Sequence, residues 1–366
     1  MGAQHGGLSL DMAALPASPR LQVLDAIDAW RVRSTDQAPR PHLGASQIGQ
    51  PCERRLWFGF RWSAHETFDA RMLRLFDRGQ REEAVFVEEL RGAGVTVHAV
   101  DPGTGQQFRF TAAGGHFGGS MDGVALGIPD APKAWHALEF KTHSAKSFGD
   151  LQKKGVQASK PLHAAQVQTY MHLGKLERTL YVAANKDTDE LYAERLRRDP
   201  AEGARLIEKA ERVIFAAEPL PGISTDPAWF ECKFCPAHAL CHGKAIAPVN
   251  CRTCLHATPE RDGNGRWSCA KWGSDIPPEA QRVGCGEHRY IPALLAKLGE
   301  AVDADEKGGW VEYRRPSGTT FRNGGPDGLT SAELSLGEAA LVLAEDEVVA
   351  KLRAQGATIV AAEVAG

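Results

Sequence analysis

The sequence predicts a mixed α/β core followed by a cysteine-rich segment and a small C-terminal α+β region. Two observations lead to this prediction. Between residues 70 and 218, segments with helical spacing of apolar residues alternate with segments of strand-like alternation. From residue 230 to residue 290 the chain is rich in cysteine and short of regular pattern. A chain of 366 residues is long enough for two domains, or for one large core with appendages.

The N-terminal part is predicted to contain two helices. Residues 1 to about 17 are expected to be disordered, and SPRLQVLDAIDAW (residues 18–30) reads as a short helix. The proline-rich linker DQAPRPH then leads to the segment around Cys52. A longer, glutamate-rich helix is predicted from residue 71 to residue 91, ending at Gly92.

The core is predicted to contain strands followed by alternating helices and strands. The strands are VTVHAV, QFRFTA, HFGGSMDGVALG and AWHALEFKT, separated by glycine and proline turns. HAAQVQTYMHLG (163–174) has helical spacing, and RTLYVAANK (178–186) reads as another strand. Asp199 as N-cap and Pro200 at the first helical position predict a further helix, DPAEGARLIEKAERVIFAA.

The C-terminal region is predicted to combine helices with a hairpin. IPALLAKLGEAVD (291–303) reads as a helix, and WVEYRRPSGTTFRNG reads as a hairpin that turns at Pro316, Ser317 and Gly318. AEDEVVAKLRAQG is expected to be a helix that ends at Gly356.

Composition excludes some classes of protein. The net charge of -3 does not indicate a nucleic-acid-binding protein, so any such binding would depend on a local basic patch. No apolar run approaches the ~18 residues of a membrane span, and the N-terminus lacks a signal-peptide pattern. We therefore expect a cytoplasmic protein without a membrane partner, whose eight cysteines bind metal. An even number of cysteines alone also fits a secreted, disulfide-bonded protein.

Two carboxylates and a lysine stand out in the core. Glu139 and Lys141 are two residues apart in a predicted strand, so they project from the same face, and Asp122 on a neighbouring strand could reach them. Oxygen ligands suit Mg²⁺ or Mn²⁺, and a nearby ammonium stabilises charge that grows on a phosphate, so the set suits phosphodiester cleavage. The alternative is a surface ion pair, since the E-x-K triplet is common.

A cluster of lysines surrounds this set. Its members beyond Lys141 are Lys146, Lys153, Lys154 and Lys160. Such a cluster could hold several backbone phosphates in spite of the near-neutral overall charge. A solvated, lysine-rich loop is the equally weighted alternative.

The order D-x16-E-x-K followed by Q-x-x-x-Y (Gln166 and Tyr170) resembles the RecB-like branch of the PD-(D/E)XK nuclease superfamily. The resemblance implies a restriction-endonuclease-like core, in which a central mixed sheet is flanked by helices. It also implies that Gln166 and Tyr170 contact the nucleic acid. LFDRGQREEAVFVEEL looks like the family's first-helix motif, with an acidic residue four after Gly79, which gives Glu83; Glu82 competes with it.

The resemblance also implies roles for the site residues. The metal, Mg²⁺ or Mn²⁺, would be held by Glu83, Asp122, Glu139 and the backbone carbonyl of Phe140. Lys141 would orient the attacking water. His116, in GGHFGG, is read as structural, because its glycines fit tight turns and the GK[ST] ending of a phosphate loop is missing.

The first cysteine set resembles a subgroup of the same superfamily. This subgroup includes the CRISPR-associated RecB-like exonucleases and the AddB-type nuclease domains, which bind a [4Fe-4S] cluster through one cysteine before the core and three after it. The corresponding residues are Cys52, Cys232, Cys235 and Cys241. Four thiolates are the usual ligands of such a cluster. The cluster would act as a staple that closes a long loop, so Cys52→Ala is expected to loosen the whole nuclease domain.

The second cysteine set resembles a zinc-ribbon-like site with the pattern C-x2-C-x14-C-x15-C. Its members are Cys251, Cys254, Cys269 and Cys285, and His256 or His288 could replace one of them. We expect a structural zinc that organises a segment with little apolar content. DNA contact through Arg252, Arg261 and Arg266 is the minor alternative.

The motifs together favour a metal-dependent DNA exonuclease of recombination, repair or phage DNA processing, with a structural [4Fe-4S] cluster. Four regions are predicted: an N-terminal arm (1–41), the nuclease domain (42–245), the zinc-ribbon-like segment (246–290) and the C-terminal appendage (291–366). An endonuclease or nickase with the same site is the alternative, as is a non-catalytic, cluster-stabilised DNA-binding or partner protein. DNA is the expected partner, along with a helicase, recombination or CRISPR-type protein, since no GxxxxGK[ST] motif is present.

Overall fold

The computed structural model describes residues 21–336, 352 and 355–356. The predicted disorder of residues 1–17 lies outside the described residues, as does nearly all of the predicted helix AEDEVVAKLRAQG. The chain divides into two compact units, of which the smaller contains residues up to 37 and 67–77, and the larger contains 38–66 and the chain from 78 onward. No helix in the described ranges is long and apolar enough to cross a membrane.

The smaller unit contains helix α1 (Gln22–Ser34) and the first residues of α3 (Ala70–Gly92). Helix α1 therefore begins and ends about four residues later than its predicted range of 18–30. Within this unit, Arg31 forms a 2.5 Å ion pair with Asp77, and Arg74 forms a 2.6 Å ion pair with Asp28. No residue of α1 is buried.

The larger unit holds the remaining elements. Its strands are β1 (Leu43–Gly44), β2 (Thr96–His98), β3 (Arg109–Ala112), β4 (Phe117–Ser120), β5 (Gly123–Leu126), β6 (His136–His143), β7 (Arg178–Asn185), β8 (Leu191–Arg197), β9 (Ala257–Pro259), β10 (Trp267–Cys269), β11 (Ser274–Asp275), β12 (Glu300–Asp305), β13 (Trp310–Arg314) and β14 (Thr320–Gly324). Its helices are α2 (Glu53–Phe60), α4 (Ala145–Ser159), α5 (Pro161–Gly174), α6 (Pro200–Phe215), α7 (Phe230–Lys233), α8 (His238–Cys241), α9 (Pro278–Gln281) and α10 (Ser331–Leu336), and α3 continues here from residue 78.

The central sheet is mixed, as predicted. Its five strands lie in the order β2-β5-β6-β7-β8, and only the pair β6 and β7 is parallel. A parallel pair needs a crossover connection, and α4 and α5 supply it. The lysine-rich stretch after β6 is therefore largely helical and is not the loop weighed above. Asp199 caps α6 as expected, since its side chain accepts hydrogen bonds from the amides of Ala201 and Glu202.

A second sheet contains three strands in the order β1-β4-β3, which alternate along the chain with strands of the central sheet. The predicted single strand HFGGSMDGVALG is broken at Met121 and Asp122, so that β4 belongs to this second sheet and β5 to the central sheet. Asp122 thus lies in a bend and not within a strand.

The cysteine-rich segment shares a hydrophobic core with the predicted nuclease region. Trp57 and Phe60 from α2 belong to one buried cluster with Trp267 and Cys254. Arg252 is also buried there, with its guanidinium 3.7 Å from the ring centroid of Trp62. Because Arg252 is enclosed, its part in the minor alternative of DNA contact is wrong. DNA contact through Arg261 and Arg266 stays a prediction. The predicted region boundaries stay predictions.

The prediction of a helix over 291–303 is wrong. A short 3₁₀ helix covers Pro292–Leu295, and residues from Glu300 form strand β12, which pairs with β13. Gly299 interrupts the helical pattern, and pairing with a neighbouring strand outweighs local propensity. The predicted hairpin is confirmed, because β13 and β14 pair across a turn that contains Pro316 and Gly318.

Candidate active site and cysteine cavities

The structure brings Asp122, Glu139 and Lys141 together. Asp122 Oδ2 accepts a 2.6 Å hydrogen bond from the backbone amide of Phe140. Glu139 and Lys141 form an ion pair on one face of β6, and Lys141 Nζ also donates to the Phe140 carbonyl at 3.1 Å. The alternation of side chains along β6 places these two groups side by side, as the sequence predicts.

Glu139 is the most enclosed member of this group. Its side chain is 1 % exposed, and its Oε2 is buried without a hydrogen-bond partner in the described part of the chain. Burial raises the pKa of Glu139 to about 7, and the charges of Asp122 and Glu83 add to this while Lys141 opposes it. A buried carboxylate oxygen without a donor is a suitable ligand for a hard cation.

Glu83 from α3 completes the acidic group. Burial raises the pKa of Glu83, and the neighbouring charge of Asp122 raises it further, while Lys141 lowers it. The pKa of Asp122 is likewise raised by burial, against the opposing effects of Lys141 and the Phe140 amide. The charge of Asp122 thus raises the pKa of both Glu83 and Glu139, and a divalent cation would relieve this repulsion. The choice of Glu83 over Glu82 stays a prediction.

Gln166 and Tyr170 lie on one face of α5, and Gln166 Nε2 is 3.4 Å from the Tyr170 hydroxyl. Burial raises the pKa of Tyr170, and the charge of Glu139 raises it further. Gly119 in β4 makes room for this phenol, because a Cβ there would lie 2.6 Å from the Tyr170 oxygen.

Three of the other predicted phosphate-binding lysines lie on α4, and Lys160 lies between α4 and α5. Lys146 and Lys153 are exposed. Lys154 is exposed but pairs with Asp150 at 2.7 Å. Lys160 is 12 % exposed, and its ammonium donates to the Ser147 carbonyl at 3.0 Å, so it is held within the fold.

Sequence reasoning missed three residues next to this group. His143 follows Lys141 on the same face of β6, and Tyr181 lies beside Glu139 in the parallel register of β7. His163 precedes Gln166 by one helical turn. The two histidines both hydrogen-bond to the Tyr181 hydroxyl. The available signal was the spacing in EFKTH, in which His143 follows Lys141 by two residues just as Lys141 follows Glu139.

The first cysteine set lines one cavity of about 270 Å³, in which the members are Cys52, Cys232, Cys235 and Cys241. Burial raises the pKa of Cys232, Cys235 and Cys241, and the charge of Cys52 contributes to each shift. The wall of the cavity also contains Phe230 and Arg54. The four thiols expected to bind one cluster therefore surround a common space.

The second cysteine set lines another cavity, of about 260 Å³, and its members are Cys251, Cys254, Cys269 and Cys285. His256 and His288 line it too. His288 Nε2 contacts the Thr253 hydroxyl at 3.1 Å, and its Nδ1 is buried without a partner among the described residues. Arg266 forms ion pairs with Asp262 and Asp275, both at 2.7 Å.

In neither cavity, nor at the acidic group, does the described part of the chain contain three or more His, Cys, Asp or Glu side chains arranged so that they could hold a metal ion. The assignments of iron–sulfur, zinc and magnesium or manganese stay predictions.

Comparison with known proteins finds similarity among solved structures. No family model and no curated protein matches its sequence. Among solved structures, SSO0001 matches with 15% identity and a TM-score of 0.37, over 61% of this chain and 97% of that one. The alkaline exonuclease LHK-Exo from Laribacter hongkongensis matches with 19% identity and a TM-score of 0.35, over 52% and 90%. LHK-Exo in complex with dAMP matches with 18% identity and a TM-score of 0.34, over the same shares. Scores of this size carry no inference about function.

Proposed function

We propose that this chain is a metal-dependent deoxyribonuclease of the PD-(D/E)XK type, acting as an exonuclease. The observation that supports it is the buried Glu139 carboxylate, whose Oε2 has no partner among the residues that the structure describes, while its Oε1 binds Lys141. An isolated buried carboxylate is costly unless it is paired or binds a metal. A purely structural ion pair would not need Asp122 and Glu83 beside it.

Each residue has a distinct task in this proposal. Glu83, Asp122, Glu139 and the Phe140 carbonyl would hold Mg²⁺ or Mn²⁺, which when bound activates water and neutralises the charge on the scissile phosphate. The Phe140 amide orients Asp122 through its hydrogen bond. Burial lowers the pKa of Lys141, but Glu139, Asp122 and Glu83 together raise it above its usual value. Lys141 therefore stays protonated, and it acts as a donor that orients the attacking water and stabilises charge on the phosphate.

DNA would lie along α5 and α4. Gln166 and Tyr170 would position the strand end beside the acidic group, and the exposed amines of Lys146, Lys153 and Lys154 would contact backbone phosphates. A protein that supplies unwinding, or that belongs to recombination or CRISPR-type processing, would be the partner of this activity.

We further propose a [4Fe-4S] cluster in the first cavity and a structural zinc in the second. The support for this proposal is the ligand chemistry, because four free cysteines line each cavity. Iron–sulfur ligation would join the segment before α2 to the segment after α6. Zinc would hold the segment around β9, β10 and α9.

The nuclease proposal is tested with linear duplex, closed circular and single-stranded DNA in Mg²⁺ or Mn²⁺. Loss of linear and single-stranded DNA with intact circles is expected of an exonuclease, whereas opened circles would indicate an endonuclease or nickase. Glu139→Gln and Lys141→Met are each expected to lower cleavage at least 100-fold. Glu208→Gln, at an exposed position, is the matched control. A wild-type protein that binds the cation and leaves every DNA form intact would exclude the proposal.

The two metal assignments are tested separately by elemental analysis and visible absorption of protein purified without oxygen. Cys52→Ser is expected to lose iron and colour and to keep zinc, and Cys254→Ser is expected to do the reverse. A single metal lost in both variants would contradict the partition of the cysteines.

A further inference from the structure

The Tyr181 hydroxyl lies between two histidine rings. It is 2.9 Å from His163 Nδ1 and 3.0 Å from His143 Nε2, and the two rings are 5.7 Å apart. On the far side, the Ser147 hydroxyl is 3.3 Å from His143 Nδ1. Tyr181 is fully buried and His143 nearly so, so these contacts form a continuous chain from α4 through the sheet to α5.

The number of hydrogens on these side chains allows two arrangements of the hydrogen bonds. The hydroxyl of Tyr181 has one hydrogen, so it donates to one histidine and accepts from the other. If Ser147 donates to His143 Nδ1, then His143 Nε2–H donates to Tyr181, and Tyr181 donates to His163 Nδ1. His163 then carries its proton on Nε2. The opposite direction would leave a lone pair on His163 Nε2.

His163 Nε2 is the atom at which this series of hydrogen bonds ends without a further partner in the described part of the protein. Its Nδ1 is the ring atom that bonds to Tyr181. Nε2 has no hydrogen-bond partner within residues 21–336 and is not one of the buried side-chain atoms that lack a partner there, so solvent reaches it. His163, Gln166 and Tyr170 are spaced at i, i+3 and i+7, so they form one row along α5. Tyr181, to which the ring bonds, lies opposite Glu139 in the parallel register of β6 and β7. Burial lowers the pKa of His163 to about 3, and the charge of Lys141 is the next largest cause.

We propose that His163 binds a backbone phosphate of DNA through Nε2–H, and that Tyr181 and His143 fix the tautomer that carries this proton. Phosphate oxygens only accept hydrogen bonds, so a bound phosphate selects the arrangement in which Ser147, His143 and Tyr181 all donate toward α5. The row of nucleic-acid-contacting residues then has three members, His163, Gln166 and Tyr170. This inference rests on the proposed function, because it takes DNA as the ligand.

Two isosteric variants separate this role from a structural one. In His163→Asn the amide occupies the place of Nδ1, so it keeps the contact with Tyr181 and loses the reach of Nε2. In His163→Gln the amide nitrogen reaches the place of Nε2 and loses Nδ1. Phosphate binding predicts that Asn weakens DNA binding more than Gln does. A purely structural role predicts the reverse order, together with the lower melting temperature in the Gln variant.

The measurement is the Kd of a short duplex and of single-stranded DNA as a function of salt, in the Glu139→Gln protein so that DNA is not consumed. His163→Asn is expected to raise Kd about tenfold, and His163→Gln by less than about threefold. The slope of log Kd against log salt is expected to stay unchanged, because a neutral donor releases no counterion, whereas Lys153→Ala is expected to reduce the slope. Tyr181→Phe is expected to raise Kd as well, because without the hydroxyl nothing fixes the His163 tautomer that carries its proton on Nε2.

The outcomes separate the two proposals. If the wild-type protein cleaves DNA while the Asn and Gln variants bind like their parent, or Gln is the weaker binder, the role of His163 is overturned and the nuclease function stands. If the parent binds DNA with the expected order of variants but the wild type cleaves nothing, the function fails and the role of His163 stands. A parent that binds no DNA overturns both.

Discussion

The carboxylate of Asp122 accepts a 2.6 Å hydrogen bond from the backbone amide of Phe140. That amide lies between Glu139 and Lys141 on β6, so one bond fixes the first carboxylate relative to the other two charged groups. The break between β4 and β5 makes this possible, because Asp122 in the bend is free of the ladder that pairs its neighbours. The backbone therefore sets the geometry of the candidate active site.

Substitution of Asp122 is expected to separate stability from activity. Asp122→Asn keeps an acceptor for the Phe140 amide and removes the charge, so unfolding free energy should stay within about 1 kcal/mol of the wild type. Asp122→Ala leaves the amide unpaired and should cost about 1–3 kcal/mol. Both variants should lose cleavage. Urea unfolding without metal measures the first effect, and equal losses of stability in the two variants would contradict the role of the bond.

Gly119 is expected to be required by the Tyr170 hydroxyl. A methyl group at Gly119 would lie 2.6 Å from that oxygen and 3.1 Å from Ala45 Cβ, and Tyr170 is too enclosed to move freely. Gly119→Ala should therefore lower the unfolding free energy by about 1–3 kcal/mol and reduce cleavage. In a Tyr170→Phe background the loss of stability should be smaller.

Gly149→Ala is the matched control for the double-mutant cycle of Gly119→Ala and Tyr170→Phe. Gly149 lies in α4 and has nothing within 4 Å of a built Cβ, so alanine there should be neutral or slightly stabilising. Additive effects of Gly119→Ala and Tyr170→Phe would show that the hydroxyl and the glycine are independent.

Residue spacing within single strands and helices predicted part of the candidate active site. Strand alternation places Glu139 and Lys141 together, and helical spacing places Gln166 and Tyr170 together, since both follow from the chain within one element. The contact of Tyr181 with His143 and His163 joins β6, β7 and α5. It depends on a parallel register and on helix packing, which no local period determines.

Two elements were missed or misassigned for similar reasons. Helix α4 contains Gly149 and Gly155, and Gly155 departs from helical geometry with a φ of +72°, so the stretch shows a weak helical pattern. Strand β12 carries the alternating sequence EAVDAD after a helix-like IPALLAKL. Its strand state comes from pairing with β13, a contact that the local sequence does not encode.

His116 is expected to make the fold sensitive to acid. Its ring is buried, and its Nε2–H donates to the Glu260 carbonyl at 3.0 Å. Burial lowers its pKa to about 4. The unfolded chain therefore binds a proton at about pH 6.5, before the folded protein does, so stability is lost as the pH falls from about 6.5 toward about 4.

The test compares wild type with His116→Gln, whose amide can still donate to Glu260 but does not titrate. Between pH 7.5 and pH 5 the wild type should lose about 2 kcal/mol more unfolding free energy than the variant. Other histidines with lowered pKa contribute equally to both proteins and cancel in the difference. If the unfolding free energies of the two proteins change with pH in the same way, His116 is not neutral and buried in the folded protein.

Lys209 is expected to anchor the segment that carries Cys52. Its buried ammonium donates to the Ile48 carbonyl at 2.9 Å and the Gln50 carbonyl at 2.5 Å. Lys209→Met leaves both carbonyls unpaired, which should cost about 2–4 kcal/mol of unfolding free energy. Because these carbonyls precede Cys52 by two to four residues, bound iron should fall while zinc is retained. Lys133→Met, at an exposed position, should change neither metal. Full iron content in a destabilised Lys209→Met protein would show that the first cavity holds its ligands independently of this anchor.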